Sequence, residues 1–149
     1  MTIMHRRHCT VLLASAALTV AAMPMRASGQ SQARATRPSV VFQVSDADPA
    51  KWGLALNNLR SLQAELGADA TDVELVVFGP GIGMLKADSP VGARVASALQ
   101  AGVKVSACQN TMQGYKLTPS DMLPDIGYVP SGVVEIVRRQ QQGWSYLRP

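Results

Sequence analysis

The sequence predicts a three-layer α/β domain whose mainly parallel sheet has about five strands. Short apolar runs typical of buried strands alternate along the chain with segments whose apolar residues repeat at helical spacing. Such alternation implies parallel strands joined by right-handed crossovers, with helices on both faces of the sheet. Of the 149 residues, roughly 120 follow an N-terminal leader, which is enough for one domain and too few for two.

The first 29 residues have the three parts of a cleavable export signal. A basic stretch contains Arg6 and Arg7, residues 11–23 are apolar, and small residues occupy 27–29. The apolar run is about 13 residues long, whereas a membrane-spanning helix needs roughly 20. We therefore expect cleavage near residue 29, a periplasmic or secreted domain, and no permanent membrane anchor. The residues after Arg7 fit a twin-arginine signal poorly, which favours the general secretory route.

Loss of the leader changes the composition on which any chemical argument depends. It removes three of the 14 basic residues, both histidines and one of the two cysteines, so the net charge falls from +4 to about +1. No cluster of Lys and Arg remains that could bind nucleic acid. Without histidine there is no Ser-His or Cys-His catalytic pair and no zinc site built from Cys and His. We expect no nucleic-acid partner, no metal, and Cys108 as a single unpaired thiol.

The first predicted unit is a strand followed by a long helix. Residues 30–38 are polar and expected to be flexible, and the ordered domain should begin near Ser39 with an apolar strand at 40–44. Asp48 followed by Pro49 is the pattern of an N-cap with proline in the first turn. An amphipathic helix then extends to a glycine at position 67, with its apolar positions at Trp52, Ala55, Leu56, Leu59, Leu62 and Leu66.

The middle of the chain predicts two further strands. One covers 73–78 and ends in a glycine-rich run, Gly79-Pro80-Gly81-Ile82-Gly83. A helix at 91–100 is closed by Gly102. The next strand covers 103–107, and Cys108 stands at its end. Residues 109–115 fit either a helical turn or a loop. Thr118 with Asp121 three residues later resembles the capping box of another short helix.

The last third of the chain predicts a strand, a helix and a final strand. Ile126, Tyr128 and Val129 form the strand, and Ser131 is placed to cap the helix. Arg138 and Arg139 fall near the negative C-terminal end of this helix, and residues 144–147 alternate like a strand. The predicted apolar face of the helix consists of Val133, Val134, Ile136 and Val137.

Unusual residues follow each of the first three predicted strands, at the end where open parallel sheets bind ligands. Asp46 and Asp48 follow the first and could in principle hold a cation, although Asp48 already has a task as a helix cap. Gly79, Gly81 and Gly83 follow the second, and they form either a nest of N–H groups for an anion or only a tight strand-to-helix turn. The run has neither the P-loop lysine nor the dinucleotide spacing, so we expect no cofactor.

Cys108, after the third strand, is the residue with nucleophilic potential. A helix starting at 109 would direct N–H groups at its sulfur and lower the thiol pKa. Alternatively, Cys108 is a small buried apolar residue, as free cysteines often are. Asn110 and Thr111 beside it would either orient a substrate or only close the turn. A buried thiol would favour the structural interpretation.

Residues 39–149 resemble the DsrE/DsrF-like family. The resemblance implies a flavodoxin-like α/β domain, a tendency to form homo-oligomers or hetero-oligomers, and, in the better understood members, relay of sulfur as a persulfide on the cysteine matching Cys108. Phe78 stands where related chains often have histidine before Gly-Pro-Gly, which removes a possible base. Four stretches in the family's order carry the similarity: Asp48-Pro49-Ala50-Lys51-Trp52 with Ala55-Leu56-Asn57-Asn58, Val76-Val77-Phe78-Gly79-Pro80-Gly81, Gly102-Val103-Lys104-Val105-Ser106-Ala107-Cys108-Gln109-Asn110-Thr111-Met112, and Val129-Pro130-Ser131-Gly132-Val133-Val134-Glu135.

Three hypotheses follow from these observations. The leading one is that Cys108 accepts sulfane sulfur from a donor and passes it to an acceptor protein or a small thiophilic molecule. The second is a non-catalytic, oligomeric binding or scaffold subunit, in which Trp144 and Tyr146 serve a subunit interface. The third is a thiol redox sensor, because thiolates are oxidised selectively.

Overall fold

The computed structural model describes residues 37–149, and the predicted signal and residues 30–36 lie outside this part of the chain. Five strands form one sheet in the order β4-β3-β2-β1-β5, and every neighbouring pair is parallel. This sheet confirms the predicted fold class and strand number. The strands are β1 (Ser39–Val44), β2 (Asp72–Val77), β3 (Lys104–Cys108), β4 (Gly127–Val129) and β5 (Ser145–Leu147).

Four α-helices and two 3-10 helices connect the strands. The α-helices are α1 (Pro49–Leu66), α2 (Gly92–Gln100), α3 (Gln109–Gly114) and α4 (Gly132–Gln141), and the 3-10 helices are Gly79–Leu85 and Pro119–Asp121. The sequence of residues 109–115 fitted either a helical turn or a loop, and the structure shows a helix there. None of the helices in residues 37–149 has both the length and the apolar character needed to cross a bilayer.

The predicted helix caps are confirmed. The Asp48 carboxylate accepts a hydrogen bond from the backbone N–H of Ala50 at 2.9 Å, and the Ser131 hydroxyl accepts one from Val134 at 3.5 Å. Thr118 and Asp121 form the predicted capping box. These side chains satisfy N–H groups that the first turn of a helix leaves without partners, so helix starts can be predicted from local sequence.

The strand order places the helices unequally on the two faces of the sheet. Each connection from β1 through β4 moves to the next strand in the same direction, so right-handed crossovers place α1, α2 and α3 on one face. The connection from β4 to β5 runs back across the sheet, which places α4 on the opposite face. Within residues 37–149, one face is therefore covered by several helices and the other by α4 alone.

Each face of the sheet has its own apolar cluster. The strands contribute alternate residues to the α1/α2 face, where Phe42, Leu75 and Val105 belong to the main core. On the other face, Val41 and Val76 pack against Ile136 of α4, with Phe78 and Trp144 at the edge of the cluster. Apolar residues on both faces explain why the strands are apolar runs rather than alternating ones.

The orientation of α4 differs from the sequence prediction. Of the four residues predicted as its apolar face, only Ile136 is buried, whereas Val133, Val134 and Val137 are 57%, 54% and 48% exposed. The helix instead turns Glu135, Ile136 and Arg139 towards the sheet, since residues three or four apart share a helix face. The prediction for the three valines was wrong because a polar group beneath the helix determines its rotation.

That polar group is Glu74 of β2, whose side chain is completely buried. Arg139 Nε donates to Glu74 Oε2 at 2.5 Å, while Ser106 Oγ and Lys104 Nζ lie 2.6 and 2.9 Å from Glu74 Oε1. Arg139 also pairs with Glu135 at 3.1 Å and stacks over the Trp144 ring at 4.5 Å. A buried carboxylate needs such partners, so the network ties α4 to β2 and β3.

Candidate functional site

Cys108 lies at the point where the chain changes from one face of the sheet to the other. It is the last residue of β3 and pairs in register with Val129, the last residue of β4. The connection leaving β3 runs over the α1/α2 face, whereas the one leaving β4 runs over the α4 face. Adjacent strands with diverging connections open a crevice at their carboxyl ends, which is the usual ligand position in open α/β sheets.

The Cys108 side chain points to the α4 side of this crevice. Its neighbours Val105 and Ala107 belong to the main core, and because side chains alternate along a strand, Cys108 shares the opposite face with Ser106. Cys108 is the N-cap residue of α3, although its side chain makes no capping hydrogen bond. The S–H donates instead to the Pro130 carbonyl oxygen across 3.9 Å. Two helix starts, those of α3 and α4, therefore meet at the sulfur.

Polar groups around Cys108 favour the thiolate. Burial raises the pKa of the Cys108 thiol, but the Thr111 hydroxyl and the backbone N–H groups of Gly132, Thr111 and Asn110 outweigh it. The pKa of Cys108 therefore lies below the ordinary thiol value. Hydrogen bonds to the charged form and the positive end of a helix both stabilise the anion, which is the nucleophilic form.

The thiol is nevertheless buried, because Cys108 is only 4% exposed. Burial alone favours the structural interpretation made from the sequence, since free cysteines are often small buried apolar residues. A cysteine that only fills apolar space has no need of donors that lower its pKa. The site is thus closed and polarised at the same time. Burial supports a structural role for Cys108, and the lowered thiol pKa supports a role as a nucleophile.

The glycine-rich run forms the 3-10 helix Gly79–Leu85 rather than an open loop. The Gly79 N–H donates to the Thr111 hydroxyl at 2.9 Å, and the Gly81 N–H donates to the Ser45 carbonyl at 3.2 Å. Both groups thus have acceptors within the protein, which favours the interpretation as a tight turn. Gly83 packs close to the ring of Trp52. Binding of an anion by Gly79, Gly81 and Gly83 stays a prediction.

Of the two polar residues predicted beside the thiol, Thr111 is the one whose side chain contacts the site. Its hydroxyl accepts from Gly79, which leaves the hydroxyl hydrogen free to point towards Cys108. Asn110 contributes through its backbone, whose N–H donates to the Pro130 carbonyl at 3.2 Å. Thr111 therefore connects the glycine-rich run to the thiol.

The two aspartates after β1 have partners that occupy their carboxylates. Asp48 caps α1. Asp46 lies 3.0 Å from the Lys51 ammonium and 3.5 Å from the Arg148 guanidinium, and the hydrogen bond from Lys51 is the main reason that the pKa of Asp46 is lowered. Within residues 37–149 no three His, Cys, Asp or Glu side chains are grouped so as to hold a metal ion.

Two residues of the site were missed by the sequence analysis. Pro130 and Gly132, which follow β4, supply the carbonyl and an N–H group at the thiol. A Cβ on Gly132 would lie 2.8 Å from the Phe78 ring, so this ring packs directly on the start of α4. The signal that could have found them is Ser131, because a predicted cap after a neighbouring strand places a helix start at the same edge of the sheet.

The fold and the position of the thiol define a class of protein: a flavodoxin-like, three-layer α/β domain with a polarised cysteine at its topological switch point. The chain belongs to the DsrE/DsrF-like family, whose model matches residues 39–149. A comparison with functionally curated proteins gives no match.

Three solved structures share this fold. MTH1491 from Methanobacterium thermoautotrophicum, a protein of unknown function, is 35% identical with a TM-score of 0.72, covering 75% of this chain and 99% of its own. BT1422 from Bacteroides thetaiotaomicron, a conserved protein of unknown function, is 14% identical with a TM-score of 0.64, covering 78% and 99%. The ychN protein from E. coli is 12% identical with a TM-score of 0.62, covering 76% and 99%.

Proposed function

We propose that this protein is exported and carries sulfane sulfur as a persulfide on Cys108, receiving it from a donor and passing it to an acceptor. The supporting observation is the position of Cys108 where β3 ends and α3 begins, next to the start of α4. Although burial raises the pKa of this thiol, hydrogen bonding by Thr111 and by the backbone of Gly132 and Asn110 lowers it below the ordinary value. A thiolate is the form that attacks sulfur, and its reactivity depends on this kind of polar environment.

The chemistry requires no further catalytic group. The Cys108 thiolate attacks the outer sulfur of the donor, and a new S–S bond forms while the donor's own S–S bond breaks. The remainder of the donor leaves with the electron pair, as sulfite does from thiosulfate. The absence of a histidine at position 78 is compatible with this step, because a lowered thiol pKa increases the thiolate fraction without a neighbouring base.

Mass spectrometry of the intact protein tests sulfur loading. In a Cys9→Ala background, Cys108 is the one remaining thiol. Incubation with thiosulfate or polysulfide should add the mass of one sulfur atom, and a reducing thiol should remove it. The Cys108→Ala variant should not change in mass. The rate of alkylation should reach half its maximum at a pH below that of a free cysteine, because the lowered pKa extends the thiolate to lower pH.

An unchanged mass in a protein whose Cys108 is alkylated readily would contradict the proposal. Peroxide without a sulfur donor provides a further control. Reversible oxidation of Cys108 combined with no sulfur loading would instead indicate a redox sensor.

A second candidate function is an oligomeric scaffold or binding subunit. Burial of Cys108 supports it, as does the single-helix cover of the α4 face. Val133 and Val137 of α4 line an apolar groove of about 240 Å³ together with Phe78 and Tyr146. Exposed apolar residues grouped in this way are typical of protein interfaces. The partner in this proposal is a second copy of the chain.

A charge placed in that groove tests the subunit hypothesis. Val137→Glu should convert an oligomer into a folded monomer, because a buried unpaired carboxylate disfavours association. Gln113→Glu on α3 carries the same charge change at an exposed position outside the groove and should leave the assembly intact. Light scattering measures the mass of each variant. A wild-type protein that is monomeric at tens of micromolar would exclude this candidate.

A further inference from the structure

A groove lies between α1 and α2. Its volume is about 280 Å³, close to the lower end of the range for small-molecule sites. The floor consists of Leu56, Leu59 and Ala98, which are all buried and apolar. The groove lies on the face of the sheet opposite to the Cys108 side chain, so it is separate from the site described above.

The polar groups of the groove are basic or neutral. Arg60 on α1 and Arg94 on α2 line it, and no carboxylate does. Within residues 37–149 neither arginine forms an ion pair. Two guanidinium groups beside an apolar floor provide the charge and the surface that an amphiphilic anion requires.

Arg94 is held in place before any ligand binds. Its guanidinium donates to the Asn57 side-chain oxygen at 2.8 Å and to the Gly53 carbonyl at 3.2 Å. A Cβ on Gly53 would lie 3.3 Å from Arg94 Nη1, so the absence of a side chain at Gly53 allows the guanidinium to lie across α1. A guanidinium carries more N–H donors than these two acceptors use, which leaves donors for a carboxylate.

The far end of the groove has a buried polar side chain. Gln63 is 9% exposed, and its Nε2 donates to the Ala101 carbonyl at 2.9 Å. From Leu56 to Gln63 the groove follows α1 for about 10 Å at 1.5 Å per residue, which is the length of a carboxylate chain of roughly eight carbons.

From these observations we infer that the α1/α2 groove binds a medium-chain carboxylate, with its alkyl chain on the leucine floor and its head group between Arg60 and Arg94. This ligand site is independent of sulfur carriage on Cys108. A carboxylate matches the positive rim, and the apolar floor favours a ligand with an alkyl chain over a fully hydrophilic anion such as phosphate.

Titration of the isotope-labelled protein with octanoate, followed by backbone amide NMR shifts, tests this inference. We expect saturable shifts at Gln63, Ser97 and Ala101. Arg60→Gln should weaken octanoate binding at least fivefold. Lys116→Gln, which removes the same charge from an exposed position outside the groove, should change the affinity less than twofold. Octan-1-ol should bind equally to the wild-type protein and to Arg60→Gln.

Three outcomes would overturn the inference. They are the absence of saturable binding, shifts concentrated on the valines of α4, and equal octanoate affinity in wild type and Arg60→Gln. Persulfide formation on Cys108 is measured separately in each variant, so a failure of one proposal does not affect the other.

Discussion

Replacing Glu74 with alanine should lower the free energy of unfolding by about 3 kcal/mol, because removing one partner of a buried ion pair leaves the others uncompensated. Glu74 is completely buried and receives Arg139, Lys104 and Ser106. This expected loss of unfolding free energy lies at the lower end of the range for breaking a buried ion pair, because Lys104 is half exposed and Arg139 keeps Glu135 as a partner. Urea denaturation followed by circular dichroism measures the change.

Asp88→Ala is the matched control for the Glu74 variant. Asp88 pairs with Lys86 at 3.3 Å, but its side chain is 78% exposed, and surface pairs contribute about 0–1 kcal/mol. The control should therefore unfold within about 0.5 kcal/mol of the wild type. If Glu74→Ala were as stable as Asp88→Ala, the network under α4 would not hold the helix on the sheet.

Gly81→Ala should cost about 1–3 kcal/mol of stability, as overpacking of a close contact does. A Cβ at Gly81 would lie 2.8 Å from the Val44 carbonyl oxygen and 3.0 Å from the Ser45 Cα. Both are backbone atoms, which cannot rotate away as a flexible side chain can. The 3-10 helix must shift instead, and the hydrogen bond from Gly79 to Thr111 shifts with it.

This shift should also affect the thiol. Because Thr111 is the largest contributor that lowers the pKa of Cys108, Gly81→Ala should raise that pKa towards the ordinary thiol value. Thermal unfolding and the pH dependence of alkylation measure the two effects. Gly114→Ala is the control, since nothing lies within 4 Å of a Cβ at Gly114, and it should leave both properties unchanged. A thiol pKa that is unchanged in Gly81→Ala would show that the glycine-rich run does not support the site.

Much of the fold could be predicted from residues close together in the sequence. The apolar run of β2, the Asp48-Pro49 start of α1 and the pairing of Thr118 with Asp121 all depend on neighbours within a few residues. Strand, helix and cap preferences act over such distances, so the order and type of the elements could be predicted. The placement of Cys108 at the end of a strand came from the same local signals, whereas these signals fitted either a helical turn or a loop for the residues after it.

The surroundings of Cys108 could not be predicted in this way. Pro130 and Gly132 lie more than twenty positions along the chain, and they reach the thiol only because β4 pairs beside β3. The exposure of Val133 and Val137 could not be predicted either. It depends on the rotation of α4, which is set by Glu74, a residue of β2 that is distant in the sequence.

The sequence by itself therefore determined the fold class, the family resemblance and the single thiol of residues 37–149. The tertiary structure decided the strand order, the face that α4 buries, the closed and polarised environment of Cys108, and the arginine-lined groove. The physical reason is that periodicity and capping are local properties of the chain. Burial, ion pairing and hydrogen bonding to a buried sulfur depend on which distant segments the sheet brings together.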